Sequence, residues 1–386
     1  MQCKTDNIKS CFMLDPNITY LNHGSFGACP KPIFKSLIRW HRKLEKEPVR
    51  HLAFDLYNFL QDSRFSLAEY INCDADDLAF FPNPSTALNT VLRSINFKTD
   101  DEVLSTNHEY GAMDRAWDFM SKKKGIKYIK RKIQLPIESK EVFINDFIKG
   151  ITDKTKVIFL SQITSATALV FPVKEICDYA RKKNIITIID GAHVPGHIEL
   201  DIKQINPDFY SGACHKWMCS PKGVAFLYAN KKMQNIIEPL VISWGYDAEK
   251  PSHSQFLDYL QWQGTNDMSA YLTIPDTIKF LKERNWREVS EKCKELNIWA
   301  KEKIISELKV KGLSDNKFNA KQMSSFFMHF DDVFNNQLDF YKKYKIQIPF
   351  FKWNEETLFR ISIQAYNSKK DIDMLIDSFK KFKNIN

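Results

Sequence analysis

No window of this 386-residue chain approaches 18 uninterrupted apolar residues, which excludes a membrane-spanning helix. The opening residues, MQCKTDNIKSCFMLDP, lack the apolar core of a secretory signal. The eight cysteines, at 3, 11, 29, 73, 177, 214, 219 and 293, include no CxxC pair, so a paired-ligand zinc module has no foothold. The phosphate loop GxxxxGK followed by Ser or Thr is absent, and no GxGxxG follows the first strand. Neither an internal repeat nor a low-complexity linker occurs. The net charge of +9 is spread over 56 basic and 47 acidic residues rather than gathered in a block. No aromatic–basic repeat marks a nucleic-acid face. These absences leave a soluble, reduced, cytoplasmic protein whose thiols are mostly buried, without nucleic-acid or membrane partners.

What is present is an alternation. Apolar runs at 78–82, 101–106, 126–131, 156–163, 185–190, 207–212 and 224–229 read as strands. Helical patterns at 85–95, 112–123, 137–150 and 172–183 fall between them. Continuous apolar strands separated by helices predict a mostly parallel seven-stranded sheet in an αβα large domain. After about residue 265 one long helical stretch, 275–308, leads to a smaller C-terminal α/β set: 323–330, a helix near 335–344, 346–351, 357–363 and a closing helix at 369–383. The expected division is an N-terminal segment over 1–20 packing near the small domain, a large domain over 21–265 and a small domain over 266–386.

The stretch SGACHKWMCSPKG (211–223) asks why His215 and Lys216 stand at the end of a buried strand. A metal site would use Cys214, His215 and Cys219, but no second cluster exists, and adjacent residues on a strand point opposite ways. A Schiff-base lysine has more support. A lysine at the mouth of a parallel sheet can hold pyridoxal 5′-phosphate, which then needs an acid at its ring nitrogen. It also needs a donor to its phenolic oxygen, a ring on its face and a helix start at its phosphate. Asp190 ends the strand IITIID and can supply the acid. His193 in DGAHVPG can reach the same ring, and NPSTALN offers Ser85 and Thr86 at a helix start. Each of these residues also has a plainer reading, as a surface lysine, a turn cap or a satisfied loop histidine.

Eight motifs then occur in order: YLNHGSFGACP, NPSTALN, HEYGAMDRAW, TSATALVFPVKEI, DGAHVPG, HKWMCSPKG, WQGTND and FRISIQAYN. Over residues 18–383 the chain resembles the class V aminotransferase family of pyridoxal-phosphate enzymes, and most of all its isopenicillin N epimerase-like branch. The resemblance implies fold type I. It makes Lys216 the Schiff-base lysine, Asp190 the partner of the ring nitrogen and His193 the neighbour of the phenolic oxygen. Tyr110, or else His108, would stack on the ring. Ser85, Thr86 and His215 would bind phosphate, with Ser165 also at the cofactor. Thr265 would reach the phosphate of a neighbouring subunit in a homodimer. Asn22 and His23 would line the substrate pocket, and Arg360 would hold the carboxylate of an amino-acid-like substrate. The implied chemistry is epimerisation or carbon–sulfur cleavage, with transamination as the alternative and a degenerate, cofactor-binding interaction protein as the non-enzyme reading. Departures from the desulfurases are Ser165 in place of asparagine, Ala213 in place of serine, and no cysteine in YKIQIPFFKWNEETLF. A persulfide-forming desulfurase is therefore not expected.

Overall fold

The strands of the large sheet are β1 (Leu78–Phe81), β2 (Glu102–Thr106), β3 (Lys127–Arg131), β4 (Thr155–Ser161), β5 (Ile186–Gly191), β6 (Phe209–Ala213) and β7 (Ala225–Ala229). The computed structural model describes residues 8–314 and 317–383. The seven strands lie in the order β1-β7-β6-β5-β4-β2-β3. Every pair from β6 to β3 is parallel, and β7 alone runs against its two neighbours. The mostly parallel seven-stranded sheet of a fold-type I enzyme is thus present.

Strand β4 shows why the pattern was readable. Ile158 and Leu160 join one apolar cluster, while Val157 and Phe159 join the other. Successive side chains point to opposite faces, and both faces are covered, so the four central positions 157–160 are all apolar. The carboxyl ends of β2, β4, β5 and β6 fall together at Thr106, Ser161, Asp190 and Ala213. Helix Pro84–Ser94 starts at the same edge, with Pro84 at its first position and the Asn83 side chain accepting from the Thr86 amide at 2.8 Å.

A second sheet contains β8 (Met323–Phe327), β9 (Phe350–Trp353) and β10 (Glu356–Ser362), antiparallel in the order β9-β10-β8. It packs an apolar cluster against helices Trp286–Leu308 and Lys369–Lys383. Three details depart from the sequence reading. The stretch 275–308 is two helices, Ile274–Glu283 and Trp286–Leu308, because Asn285 between them takes a left-handed φ of 45° that ends the first. The run 346–351 divides: Ile346–Gln347 pairs in parallel with Thr19–Tyr20, and β9 begins at Phe350. Cys11 is disulfide-bonded rather than reduced, whereas Cys29, Cys73, Cys177, Cys214, Cys219 and Cys293 are free. Residues 1–7 of the expected N-terminal segment lie outside the described residues.

After Thr19–Tyr20 the chain makes a short turn, His23–Phe26, and crosses directly over the His215–Lys216 backbone. Gly27 marks the crossing. Its φ is +70° with ψ 169°, and a Cβ there would stand 2.0 Å from the His215 carbonyl oxygen. Only glycine populates that conformation freely. Gly27→Ala is therefore expected to destabilise the fold by about 2 kcal/mol or more, from strain and clash together. Urea unfolding followed by far-UV dichroism measures this, and a loss under about 0.5 kcal/mol would refute the close approach.

Candidate active site

A cavity of about 510 Å³ opens at the carboxyl ends of the central strands. Its wall includes Ser85, Tyr110, Ser161, Ser165, Asp190, His193, His215 and Lys216, joined by Ser25 of the crossing N-terminal segment. The amine of Lys216 lies 3.2 Å from His193 Nε2. Burial pushes its pKa down to about 8; the Asp190 charge opposes that shift and the Arg360 charge adds to it. Asp190 accepts the Ala192 amide at 2.9 Å, and burial raises its pKa. His193 is 2% exposed and lies well below the usual histidine range, first through burial and then through the Lys216 and Arg360 charges.

The end of the cavity that the resemblance gives to a phosphate carries Ser85 and His215. Ser85 stands in the first turn of helix Pro84–Ser94, whose free amides carry partial positive charge. His215 Nδ1 pairs with the Val224 carbonyl at 3.0 Å. Thr86 does not line the cavity; its hydroxyl donates to Asn83 Oδ1 at 3.0 Å and completes the helix cap.

Arg360, on the middle strand β10, is 1% exposed. It stands behind the wall rather than in it, touching two cavity residues. Its Nη1 donates to the Ser165 carbonyl and hydroxyl, and its Nη2 to the Ser25 hydroxyl at 3.3 Å. Its Nε has no hydrogen-bond partner among the described residues, and the Phe351 ring lies 5.3 Å from Cζ. These contacts include no carboxylate, and burial lowers the guanidinium to about 10.

Four residues fall elsewhere than the resemblance suggested or need a narrower reading. Tyr110 lines the cavity and is 48% exposed, whereas His108 lies outside it, bonded to Thr167 at 3.0 Å and 4.8 Å from the Trp353 ring. His23 is fully buried and does not line the cavity. Its Nδ1 meets the Tyr366 hydroxyl at 2.8 Å and its Nε2 the Lys216 carbonyl at 3.0 Å, so it supports the lysine from behind. Asn22 bridges to Ser362, and its side chain accepts from Ser25 at 2.6 Å. Thr265 is exposed and does not line this cavity.

One acid escaped the sequence reading. Glu109 is buried at the end of β2, accepting from Thr106 at 2.6 Å and from the Ser161 amide and hydroxyl at 2.9 and 2.6 Å. Burial raises it to about 7, and the Asp190 charge adds to the shift. Its place inside the motif HEYGA was the available signal. Among the described residues no group of three or more His, Cys, Asp or Glu side chains could hold a metal ion.

The Lys216 amine is expected to become nucleophilic far earlier than a solvated lysine. Below about pH 8 it is ammonium and inert; above it the free amine attacks carbonyls. Trapping by a neutral aldehyde with cyanoborohydride, read on the Lys216 peptide, should be half-maximal near pH 8. A midpoint near the ordinary lysine value of about 10.4 would show a solvated amine.

The model of the family described as Aminotransferase class-V matches residues 28–375. The chain is 27% identical to an isopenicillin N epimerase of Amycolatopsis lactamdurans, over 97% of this chain and 98% of that one. It is 26% identical to a hercynylcysteine sulfoxide lyase of Schizosaccharomyces pombe, over 78% of each. The solved structure of a cysteine desulfurase from Thermococcus onnurineus NA1 shares the fold with a TM-score of 0.82 at 19% identity, covering 100% of this chain and 99% of that one. The chain belongs to the class V aminotransferase family of pyridoxal-phosphate-dependent enzymes.

Proposed function

We propose that the protein binds an amino acid, or a compound with an amino-acid end, and breaks its Cα–H bond at Lys216. One observation carries the reading: Lys216 and Asp190 share a single cavity, and an Arg360 guanidinium without a carboxylate lies directly behind its wall. The donor set fits pyridoxal 5′-phosphate. Ser85, His215 and the start of helix Pro84–Ser94 would hold the phosphate, Tyr110 the ring face and Asp190 the ring nitrogen. His193 would face the phenolic oxygen and Lys216 the aldehyde carbon. When bound, the cofactor takes up the substrate amine and acts as an electron sink that acidifies the Cα–H bond.

The chain's own residues then have separable tasks. Lys216, with its low proton affinity, accepts the Cα proton near neutral pH. Asp190, as carboxylate, holds the proton on the ring nitrogen. Arg360 exchanges its serine contacts for the substrate carboxylate, whose two oxygens match the guanidinium fork. Its unpartnered Nε supports that role, since a buried guanidinium without an anion is costly. Returning the proton from the other side gives epimerisation, and loss of a β-sulfur gives cleavage. The names of the epimerase and sulfoxide-lyase relatives support these two outcomes over transamination. A panel of amino acids and cysteine conjugates, scored for α-proton exchange, racemisation, pyruvate and amino transfer, tests this. Absence of α-proton exchange with every member would overturn it.

The protein is further proposed to act as a homodimer in the cytoplasm. Exposed Thr265, which does not line its own cavity, is free to reach a neighbour's phosphate. The ribbon Leu240, Val241, Ile242, Trp244 and Tyr246 leaves apolar side chains in solvent, with Trp244 87% exposed. Six free cysteines support a reducing setting, against which the Cys11 disulfide stands. A monomer of full activity by sedimentation would refute the dimer.

Arg360→Lys is expected to raise KM for amino acids at least tenfold and also to lower kcat, because a misplaced Cα–H bond loses rate as well as binding. Amines lacking the carboxylate should change little between parent and variant. Equal treatment of both substrate types would make Arg360 structural.

A further inference from the structure

Trp217, directly after the lysine, is fully buried, and its indole Nε1 lies 3.3 Å from His193 Nδ1. An indole N–H can only donate. His193 Nδ1 must therefore accept and carry no proton. The charged and titratable groups around the imidazole are Lys216, Arg360, His197 and His215, and each disfavours a second proton on it. A neutral ring with a bare Nδ1 has its one proton on Nε2, the nitrogen 3.2 Å from the Lys216 amine.

The surroundings hold this arrangement still. The Trp217 indole is packed 4.1 Å from the His197 ring and 5.0 Å from the His23 ring. His197 Nε2 accepts the Gln322 amide at 2.9 Å, so its Nδ1 is the donor to the His193 carbonyl at 3.0 Å. The backbone and the ring of His193 are thus fixed by separate partners.

We propose that Trp217 is a positioning residue whose indole N–H locks His193 in the Nε2–H tautomer, so that the imidazole always presents a donor to Lys216 and the reacting end of the cavity. The inference rests on the reading of this cavity as the pyridoxal-phosphate site. A donor at Nε2 can be accepted only by the lone pair of a neutral amine, or by an anionic oxygen in the amine's place. An ammonium has no lone pair and is disfavoured there. Without the indole the ring is free to move its proton to Nδ1, and a bare Nε2 then welcomes the ammonium. The tautomer lock therefore favours the reactive amine, alongside burial and Arg360 and against the Asp190 charge.

The test uses cofactor-free protein labelled with ¹⁵N-histidine, the His193 signals being assigned by their absence in His193→Gln. The parent should show a protonated, pyrrole-type Nε2 and a bare, pyridine-type Nδ1; an Nδ1–H parent overturns the proposal without any variant. Trp217→Phe keeps the ring packing and removes the N–H. It should populate Nδ1–H and raise the pH midpoint of aldehyde trapping at Lys216 by about half a unit to one unit. That rise should vanish when His193→Gln is added, since an amide side chain has no tautomer to lock. An unchanged tautomer and midpoint in Trp217→Phe, or a rise that persists beside Gln at 193, would reduce Trp217 to packing. Trapping at some lysine other than Lys216 in the parent would instead defeat the site reading, while the ¹⁵N signals still decide the tautomer.

Discussion

The contact between the Lys216 amine and the His193 imidazole sets the terms for everything around it. Two buried basic nitrogens 3.2 Å apart disfavour each other's charge. The structure meets that constraint by lowering both proton affinities through burial and by adding Arg360, a third cation, nearby. Asp190 is the opposing charge, and it is itself strained towards protonation. Glu109, behind Ser161, is raised to about 7 partly by Asp190, so the pocket resists a second full negative charge. The result is a buried set of opposed charges in which the described contacts of Arg360 are to serine oxygens and a ring rather than to a carboxylate.

Much of this was legible because parallel sheets write themselves plainly. Strands buried on both faces are mostly apolar, so the inner strands of the large sheet stood out, and their carboxyl ends located Asp190 and Lys216 at one edge. Other features depend on contacts that periodicity does not encode. Helical spacing runs unbroken through 275–308, and only the left-handed backbone of Asn285 divides it. Glu109 reads as one more charged residue until Ser161 and Thr106 are folded onto it. His23 and His108 belong to motif segments, yet packing turns both away from the cavity. The Gln322 amide reaches His197 across 125 positions, a separation no local pattern can announce.

The N-terminal crossing shows how a chain's beginning can serve its far interior. Gly27 lets the backbone lie against His215, His23 props the Lys216 carbonyl, and Ser25 touches Arg360. Lys222 returns the contact by donating to the Gly27 carbonyl at 3.0 Å. Three remote segments are thereby closed over the lysine by short polar contacts rather than by apolar burial alone, which gives directional geometry to a region that must position single atoms.

The chain of hydrogen bonds from Gln322 through His197 to His193 has a mechanical meaning. Gln322 also receives Ser290 at 3.0 Å and donates to the Ile363 carbonyl at 2.9 Å, so it is rooted in the smaller sheet and its helix. The backbone of His193, the residue beside the lysine, is in this way tied to the smaller sheet as well as to its own. Swinging one sheet against the other would pull a buried donor from its acceptor, at about 1–3 kcal/mol for each such loss. The contacts at the centre of the molecule therefore hold its two sheets in one register, in contrast to the rim, where Tyr110 and the apolar ribbon around Trp244 face solvent.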